Sequence, residues 1–338
     1  MDNRQEAIDA VYSVADDLGL IMENIELDGC WHRVPVSGKK SSNQSGAYCL
    51  SELILKSGRV VIVGLMNNWV TSREERLTLN GVEGVTPEEL QEAKKRSAEA
   101  AKQSKLEKQK LQQEIAEKAD GIWRNLPDSG QSEYLNIKRV KAWGIRFSRG
   151  AICVPARDIK GKIWTLQWVY PNSEKRFLTG GAKRGHFHLI NRPPDIGRTH
   201  SFVLGIAEGY ATAASLHETL KHPVAVAFDA NNLLPVAQAL RGVYPSAQLV
   251  FFADHDIHRG YPQAFIKQSK LTAAVQRQIN ILAQVRPDVL VEVVPDDDTR
   301  LREKEKHPNK GVSEAIIAAA AVDGVVVIPR FNNKGANA

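Results

Sequence analysis

The 338-residue sequence predicts an α/β protein. A C-terminal domain with a parallel sheet is expected to follow a small β-rich module, a long helix and a basic α+β subdomain. Three observations support this prediction. The C-terminal part alternates short apolar runs, typical of buried parallel strands, with helical segments. A stretch rich in Ala, Glu, Lys and Gln, almost without helix breakers, lies before the middle of the chain. The first part alternates polar and apolar residues between turn signals, which is typical of strands.

These changes of character divide the sequence into five segments. A capping box, Thr86-Pro87-Glu88-Glu89, predicts the start of the long helix. The segment 126–198 contains a predicted β-hairpin, AICVPARDIKGKIWTLQWVY, with its turn at DIKG. The predicted boundaries are 1–85 for the β-rich module, 86–125 for the charged connecting helix, 126–198 for the basic subdomain, 199–330 for the α/β domain and 331–338 for a flexible tail.

The α/β domain is predicted from five apolar runs with helices between them. The strands are FVLGIA, VAVAF, AQLVFFA, VLVEVV and VVVIP. The helices are GYATAASLHETL, NNLLPVAQALRG, AFIKQSKLTAAVQRQINILAQ and VSEAIIAAAA. We expect a parallel sheet whose active site lies at the carboxyl ends of the strands.

Charge and composition narrow the classes of function. The chain has 45 Lys and Arg against 39 Asp and Glu, a net charge of +6, which favours a polyanionic partner such as nucleic acid. Three cysteines without a CxxC pair exclude a cysteine zinc ribbon, and we expect no zinc. The N-terminus lacks the layout of a signal peptide, and the most apolar tract is too short to span a bilayer. We therefore expect a cytoplasmic protein without a membrane partner.

Acidic residues follow three of the predicted strands. Glu208 and Gly209 follow the first strand, Asp254 and Asp256 the third, and the run Asp296 to Asp298 the fourth. Because the carboxyl ends of parallel strands meet at one edge of a sheet, we expect these carboxylates to converge. Crowded carboxylates repel one another unless cations compensate, and hard oxygen ligands suit Mg²⁺ or Mn²⁺. The pattern predicts a site for one or two such ions.

Three segments also resemble a known family. IAEGYATAASL, VAVAFDANNL and LVFFADHD are similar to the Toprim domain shared by DnaG-type primases, topoisomerases and some nucleases. In that family the Glu after the first strand acts in acid–base chemistry, and the DxD aspartates hold divalent metal. The resemblance implies these roles for Glu208 and for Asp254 with Asp256. It implies a further acidic position at Asp296 or Asp298, and the run of three leaves the choice open.

The preceding segment resembles the basic subdomain of plasmid conjugation primases and satellite-phage primase-helicases. Those proteins carry a YL…K…V…G(I/L)R element, a P-x-R-D turn, an LQ pair, KRFL and a GG loop, all present here between Tyr134 and Gly181. FDANNL is close to their loop after the second strand, which implies an active-site loop with Asp229 and Asn231. The chain differs in lacking the cysteine zinc module of DnaG and the acidic D-F-N-D element near HPNKGVSEA.

Basic residues are concentrated just before the acidic strand. A template strand and incoming nucleotides are polyanions, so an acid cluster that handles them needs cations beside it. The alternative is a solvated surface patch. The candidate nucleic-acid or nucleotide-binding residues are Arg146, Lys175, Arg176, Lys183 and Arg184.

The resemblance implies a DNA primase that makes short RNA primers on single-stranded DNA from ribonucleoside triphosphates, for plasmid or phage replication or transfer. Two alternatives stay open. One is a Toprim-type metal-dependent nuclease or topoisomerase fragment, and the other is a non-catalytic single-stranded-DNA-binding accessory protein. The sequence has no GxxxxGK[ST] phosphate loop, so we expect unwinding to come from a partner, a replicative helicase or another replication or transfer protein.

Overall fold

A computed structural model describes residues 3–38, 44–55, 58–68, 70–71, 73–78, 87–191, 201–255, 263–296 and 309–328, with side chains between 87 and 107 only in part. The chain forms two compact units, which we call the N-terminal unit (up to Gln109) and the C-terminal unit (from Lys110 on). The finer five-segment division stays a prediction. Thr86, Asp256, Asp297, Asp298 and the tail lie outside the described residues.

The N-terminal unit contains one helix and an antiparallel sheet. Its elements are α1 (Asn3–Leu18), β1 (His32–Val34), β2 (Gly46–Ile54), β3 (Val60–Asn68) and β4 (Arg73–Leu77), with the strands in sequence order. Val11, Ala15 and Leu18 recur at helical spacing along α1 and are buried in one core with Leu50 and Met66 of the sheet. This arrangement agrees with the β-rich character that the alternating pattern predicts.

The next helix, α2 (Pro87–Asn125), covers the predicted connecting helix and contributes residues to both units. It is followed by α3 (Glu133–Lys138) and an antiparallel sheet of β5 (Arg146–Ser148), β6 (Ala151–Arg157), β7 (Ile163–Val169) and β8 (Lys175–Phe177). The β6–β7 hairpin turns where predicted. Gly161 has φ +87°, which favours glycine, and its N–H donates to the Asp158 carbonyl at 3.0 Å.

A five-stranded sheet forms the centre of the α/β part of the C-terminal unit. Its strands lie in the order β15-β12-β10-β11-β9, and β9 alone runs antiparallel to its neighbour. The elements are β9 (His188–Ile190), β10 (Val203–Ala207), α4 (Tyr210–Leu220), β11 (Val224–Val226), α5 (Leu233–Val243), β12 (Gln248–Phe252), α7 (Lys310–Ala321) and β15 (Val325–Val327). The parallel strands and the helices between them confirm the predicted mixed α/β character.

Two predictions for this region are wrong. The segment AFIKQSKLTAAVQRQINILAQ is a strand, β13 (Gln263–Lys267), followed by α6 (Ala273–Val285) rather than one helix. VLVEVV forms β14 (Leu290–Val294), which pairs with β13 in a separate two-stranded parallel sheet.

The physical reason lies in how these strands are buried. Ala264 and Ile266 are buried while Lys267 is exposed, the period of two expected for a strand, which the adjoining helical pattern obscured. Leu290 and Val293 are 56% and 37% exposed, so β14 is not covered on both faces as a central strand would be.

The described part of the chain contains no helix with both the length and the apolar character needed to cross a membrane.

The side chain of His188, in the antiparallel strand β9, forms a hydrogen bond to the segment before β5. Its imidazole is 3% exposed, and Nε2 lies 2.8 Å from the Trp143 carbonyl, so this nitrogen carries the proton and donates. Burial lowers the pKa of His188 from 6.5 to about 4. The folded protein therefore holds this side chain neutral.

We predict that His188 makes the protein less stable in mild acid. Below pH 6.5 the unfolded chain binds a proton that the folded chain accepts only near pH 4, so this contribution is complete above about pH 6.5 and is lost as the pH falls toward 4. Between pH 7.5 and 5 the loss should be about 2 kcal/mol. Urea unfolding across this range should show a flatter pH dependence in His188→Gln. Exposed His222→Gln should retain the wild-type slope, and an unchanged slope in both variants would contradict the assignment.

Candidate active site at the carboxyl edge of the parallel sheet

Glu208 and Asp254 follow neighbouring strands at the carboxyl edge of the five-stranded sheet. β10 and β12 pair in parallel, with Ala207 opposite Phe252. Glu208 is the next residue after β10, and Asp254 comes two residues after the end of β12. The predicted convergence of these two strand ends is therefore present in the fold.

The first turn of α7 lies against both residues. A Cβ atom added to Gly311 would lie 2.7 Å from Glu208 Oε1 and 2.5 Å from the Asp254 carbonyl oxygen. Only glycine leaves room for this approach. The amino end of α7 also carries a partial positive charge, which favours a carboxylate beside it.

A buried amide lies next to the aspartate loop. Asn309 is fully buried, and its Nδ2 donates to Nδ1 of His255, the residue after Asp254. Its backbone N–H donates to the Gln263 carbonyl at 2.8 Å. Asn309 Oδ1 is buried without a hydrogen-bond partner among the described residues. Sequence reasoning noted only the missing acidic element here and did not single out Asn309.

Two of the predicted basic residues lie beside the acidic edge. The Lys175 ammonium lies 3.7 Å from the Cβ position of Gly209, the residue that caps α4. Lys183 forms an ion pair with Asp229. Lys175 and Phe177 project from one face of β8, and the Phe177 ring contacts Phe228 edge to face at 5.4 Å. This packing explains how β8 brings Lys175 to the α/β part of the unit.

The other three predicted basic residues have different surroundings. Arg176 projects from the opposite face of β8 and binds Glu174 with Nε to Oε1 at 2.8 Å. Arg184 is exposed. Arg146 Nη1 donates to the carbonyls of Trp123, Arg124 and Leu126 at 2.7–2.9 Å, so Arg146 caps the end of α2. Nucleic-acid contacts by these three side chains stay predictions.

The predicted active-site loop after β11 contains a strained residue. Phe228 has φ +73°, a conformation that is rare for a bulky side chain and that occurs most often at functional loops. Asp229 follows it. One of its carboxylate oxygens binds Lys183, and the other is buried without a hydrogen-bond partner among the described residues. Asn231 is exposed.

The residue after Asn231 is the one that holds the loop together. Asn232 is 2% exposed. Its Oδ1 accepts from the Gly185 N–H at 2.7 Å, and its Nδ2 lies within 2.8–3.2 Å of the carbonyls of Ala227, Lys183 and His186. The side chain thus binds the basic loop 183–186 to the end of β11. Sequence reasoning named Asn231 instead, because only the structure shows which of the two amides points inward.

The acidic run after β14 is placed differently from the other acids. Asp296 Oδ1 accepts from the Ser269 hydroxyl at 2.6 Å, in the turn after β13. β14 belongs to the two-stranded sheet and Glu208 follows a strand of the five-stranded sheet. Pairing of parallel strands therefore does not bring Asp296 next to Glu208. Among the described residues, Glu208, Asp254 and Asp296 are not a set with ligand atoms all within 4.8 Å of one another.

The side chains at the edge fit a hard divalent cation. Mg²⁺ usually keeps several waters and binds through one or two carboxylates. Glu208 and Asp254 supply such oxygens at adjacent strand ends, and the lysines beside them would attract phosphate rather than metal. Asp256, the second member of the predicted pair, lies outside the described residues.

A second group of possible ligands lies in the N-terminal unit. Donor atoms of Glu26, Asp28 and His32 lie within 4.8 Å of one another. His32 Nε2 is 2.8 Å from Asp28 Oδ1, and this hydrogen bond lowers the pKa of Asp28. The two carboxylates are exposed, and such contacts are common without an ion, so we assign no site here.

Two curated relatives define the class of protein that this chain resembles, since both are DNA primases. Each is named DNA primase TraC, from Escherichia coli. One is 30% identical over 236 residues, which cover 69% of this chain and 16% of the relative. The other is 31% identical over 241 residues, covering 68% of this chain and 21% of the relative. The chain spans about a fifth or less of each relative's length. These matches confirm the resemblance to DNA primases, and no family model matches the chain.

Solved structures with a local likeness also include primases. The primase fragment of the bacteriophage T7 primase-helicase protein is 16% identical, with a TM-score of 0.25 over 46% of this chain and 59% of that one. The DnaG primase catalytic domain bound to ssDNA is 13% identical, with a TM-score of 0.32 over 61% of this chain and 78% of that one. At these scores the likeness carries no argument about the fold.

We predict that Gly311→Ala lowers stability and disturbs Glu208. The added methyl group would overlap the Asp254 carbonyl and the Glu208 carboxylate, and such overpacking costs about 1–3 kcal/mol. Urea unfolding measures this cost. Gly242→Ala, in α5 with open space around the new Cβ, is the control and should be neutral or stabilising by up to about 1 kcal/mol. Equal stability of both variants would exclude the close approach.

We predict that Asn232→Ala releases the basic loop. The change leaves buried backbone groups without partners and should cost about 2–4 kcal/mol. Trypsin should also cut faster after Lys183 and Arg184, as mass spectrometry of the fragments would report. The neighbouring exposed variant Asn231→Ala should stay within about 0.5 kcal/mol of wild type. Cleavage at the wild-type rate in Asn232→Ala would show that other contacts hold the loop.

Proposed function

We propose that this chain is a DNA primase, a metal-dependent nucleotidyltransferase that makes short RNA primers on single-stranded DNA. The observation that carries the proposal is the approach of Glu208 and Asp254 around Gly311. The similarity of about two thirds of the chain to DNA primase TraC supports it. We propose that the α/β part is a Toprim catalytic domain and the segment before it a basic primase subdomain.

Asp254 would hold Mg²⁺ or Mn²⁺, together with Asp256. When bound, the metal would polarise the α-phosphate and neutralise the leaving pyrophosphate. Asp296 and Asp298 follow β14, which belongs to the separate two-stranded sheet. We therefore propose only a secondary role in metal binding for Asp296 or Asp298.

Glu208 is the proposed acid–base residue. It would accept the proton of the primer 3′-hydroxyl as that oxygen attacks the α-phosphate. The amino end of α7 lies against the Glu208 carboxylate, and the ammonium of Lys175 lies near Gly209, so positive charge surrounds this end of β10.

Lys175 and Lys183 are proposed to hold the phosphates of the nucleotide or the template. Asp229 keeps the Lys183 ammonium at the edge of the sheet, and Asn232 fixes the backbone that carries it. Arg176 and Arg184 are exposed on the same hairpin and loop. They would extend the positive surface along the single strand.

The proposed partners are single-stranded DNA, ribonucleoside triphosphates and a replicative helicase or other transfer protein. A plasmid or phage setting and a cytoplasmic location are proposed with them. These partners, the setting and the location rest on the resemblance to primases. The match covers only 16% and 21% of the two relatives, so all of them are proposals.

Primer synthesis by the purified chain tests the proposal. We expect single-stranded DNA, four ribonucleotides (one labelled) and Mg²⁺ or Mn²⁺ to give short labelled products on a denaturing gel. Glu208→Gln keeps size but cannot accept the proton, so the rate should fall about 10²–10⁴-fold while DNA binding persists. Glu117→Gln, on the exposed surface of α2, is the matched control and should stay active.

Full activity of Glu208→Gln would overturn its role. Cleavage of labelled DNA without ribonucleotides would favour the nuclease alternative. Retention of function after Glu208, Asp254 and Asp256 are all changed to Ala would favour the non-catalytic DNA-binding alternative.

A further inference from the structure

A cavity of about 480 Å³ lies within the C-terminal unit, apart from the acidic edge. The end of α2, the β6–β7 turn and the end of α5 contribute to its lining. Helix α5 starts beside Asn232 and ends at Val243. Leu240 is the first residue of α5 in the lining, and it lies about 12 Å along the helix from Asn232. The cavity is therefore separate from the candidate active site.

Two arginines meet at one aromatic ring in this cavity. The guanidinium carbons of Arg146 and Arg157 lie 5.0 and 5.3 Å from the ring centre of Trp123. Arg146 is occupied by the carbonyls at the end of α2. Arg157 donates from Nη1 to the Gly161 carbonyl at 2.9 Å, and no carboxylate in the described part of the chain lies within 4.0 Å of it. Burial lowers the pKa of Arg157, the more distant carboxylate of Asp120 opposes this, and Arg146 adds to the lowering, so the pKa stays below its usual value.

Two acidic residues, Asp128 and Asp158, belong to the lining, and neither forms an ion pair with Arg157. Asp158 Oδ1 accepts from the N–H groups of Lys160 and Lys162, and Oδ2 accepts from Trp164 Nε1. Both oxygens of the Asp158 carboxylate therefore accept hydrogen bonds within the hairpin. Lys160, exposed at the tip of the same turn, adds a further cation to the lining.

The rest of the lining is aromatic and apolar. Leu240, Val243 and Tyr244 come from the end of α5, and the Tyr244 ring is held edge to face against Phe202 at 5.5 Å. Cavities of 300–1,000 Å³ with apolar walls and a few convergent polar groups are typical of small-molecule sites. Aromatic rings beside arginines suit a ligand that is both flat and anionic.

We propose that this cavity binds a nucleoside polyphosphate, with its phosphates on Arg157 and Lys160 and its base against Trp123 and Tyr244. A polyphosphate satisfies a guanidinium that lacks a carboxylate partner, and charge-assisted bonds of this kind are strong. A free inorganic anion would leave the aromatic wall unused. The lining contains neither Glu208 nor Asp254, so the ligand should bind here without the metal that the proposed function requires.

Calorimetry of the full chain in EDTA tests the proposal, with ATP, adenosine and inorganic tripolyphosphate as probes. ATP should bind most tightly. Arg157→Gln should weaken ATP at least tenfold, and Tyr244→Leu should weaken ATP and adenosine but not tripolyphosphate. Arg149→Gln, an exposed residue outside the lining, is the charge-matched control. Glu208→Gln should bind ATP like wild type, which separates this test from that of the proposed function.

With these probes, three results would overturn the proposal: no ATP binding by the wild-type chain, equal ATP binding by wild type and Arg157→Gln, or tripolyphosphate binding as tightly as ATP. Tighter binding of a short oligothymidylate that displaces ATP would point to a nucleic-acid groove instead and would also overturn it. If Arg157→Gln loosens the turn and does not fold, Lys160→Gln replaces it. That variant changes only an exposed side chain, and the expected loss of ATP affinity is the same in direction.

Discussion

The parallel pairing of β10 with β12 is the constraint on which the candidate site depends. Glu208 and Asp254 follow adjacent strands, and two acidic residues so placed tend to repel each other, so other forces must hold the strand ends together. Leu204 and Ile206 of β10 and Leu249 and Phe251 of β12 are fully buried. A register shift by one residue would turn these side chains to the opposite face of the sheet, into a second core that is packed around Ala207, Val250 and Phe252. Apolar burial therefore holds Glu208 and Asp254 together, and Gly311 lets the amino end of α7 approach both.

The basic loop depends on a different interaction. β9 extends the sheet on the far side of β11, so residues 183–190 belong structurally to the α/β part although they follow the hairpin sheet in the chain. Asn232 satisfies four backbone groups across this junction, and leaving such groups unpaired would be costly. The loop that carries Lys183 is thus fixed relative to the acids by hydrogen bonds from a buried side chain, more rigidly than exposed ion pairs would achieve.

Much of this organisation follows from local pattern, and the failures have a common cause. Apolar runs, a capping pattern and turn residues predict most of the elements, and the acids after β10 and β12 follow from them. Which sheet a strand joins depends on distant partners, so β14 was placed in the wrong sheet. The same limit explains why the pattern could not choose Asn232 over Asn231, or find the buried Asn309. Close approach of Gly311 to Glu208, about a hundred positions apart, leaves no local signal.

The hydrogen bonds of two arginines that only support the fold can be compared with those of Arg157 and Asp229. Arg241 donates to the carbonyls of Val322, Pro245 and Ala247, and Arg286 binds Asp288 and the Ile328 carbonyl. Both arginines meet multiple acceptors, as buried charges require. Arg157 has one carbonyl and a ring shared with another arginine, and Asp229 has one carboxylate oxygen buried without a partner among the described residues. Arg157 and Asp229 have fewer partners than the charged groups that support the fold. A ligand of opposite charge would therefore stabilise these two groups most.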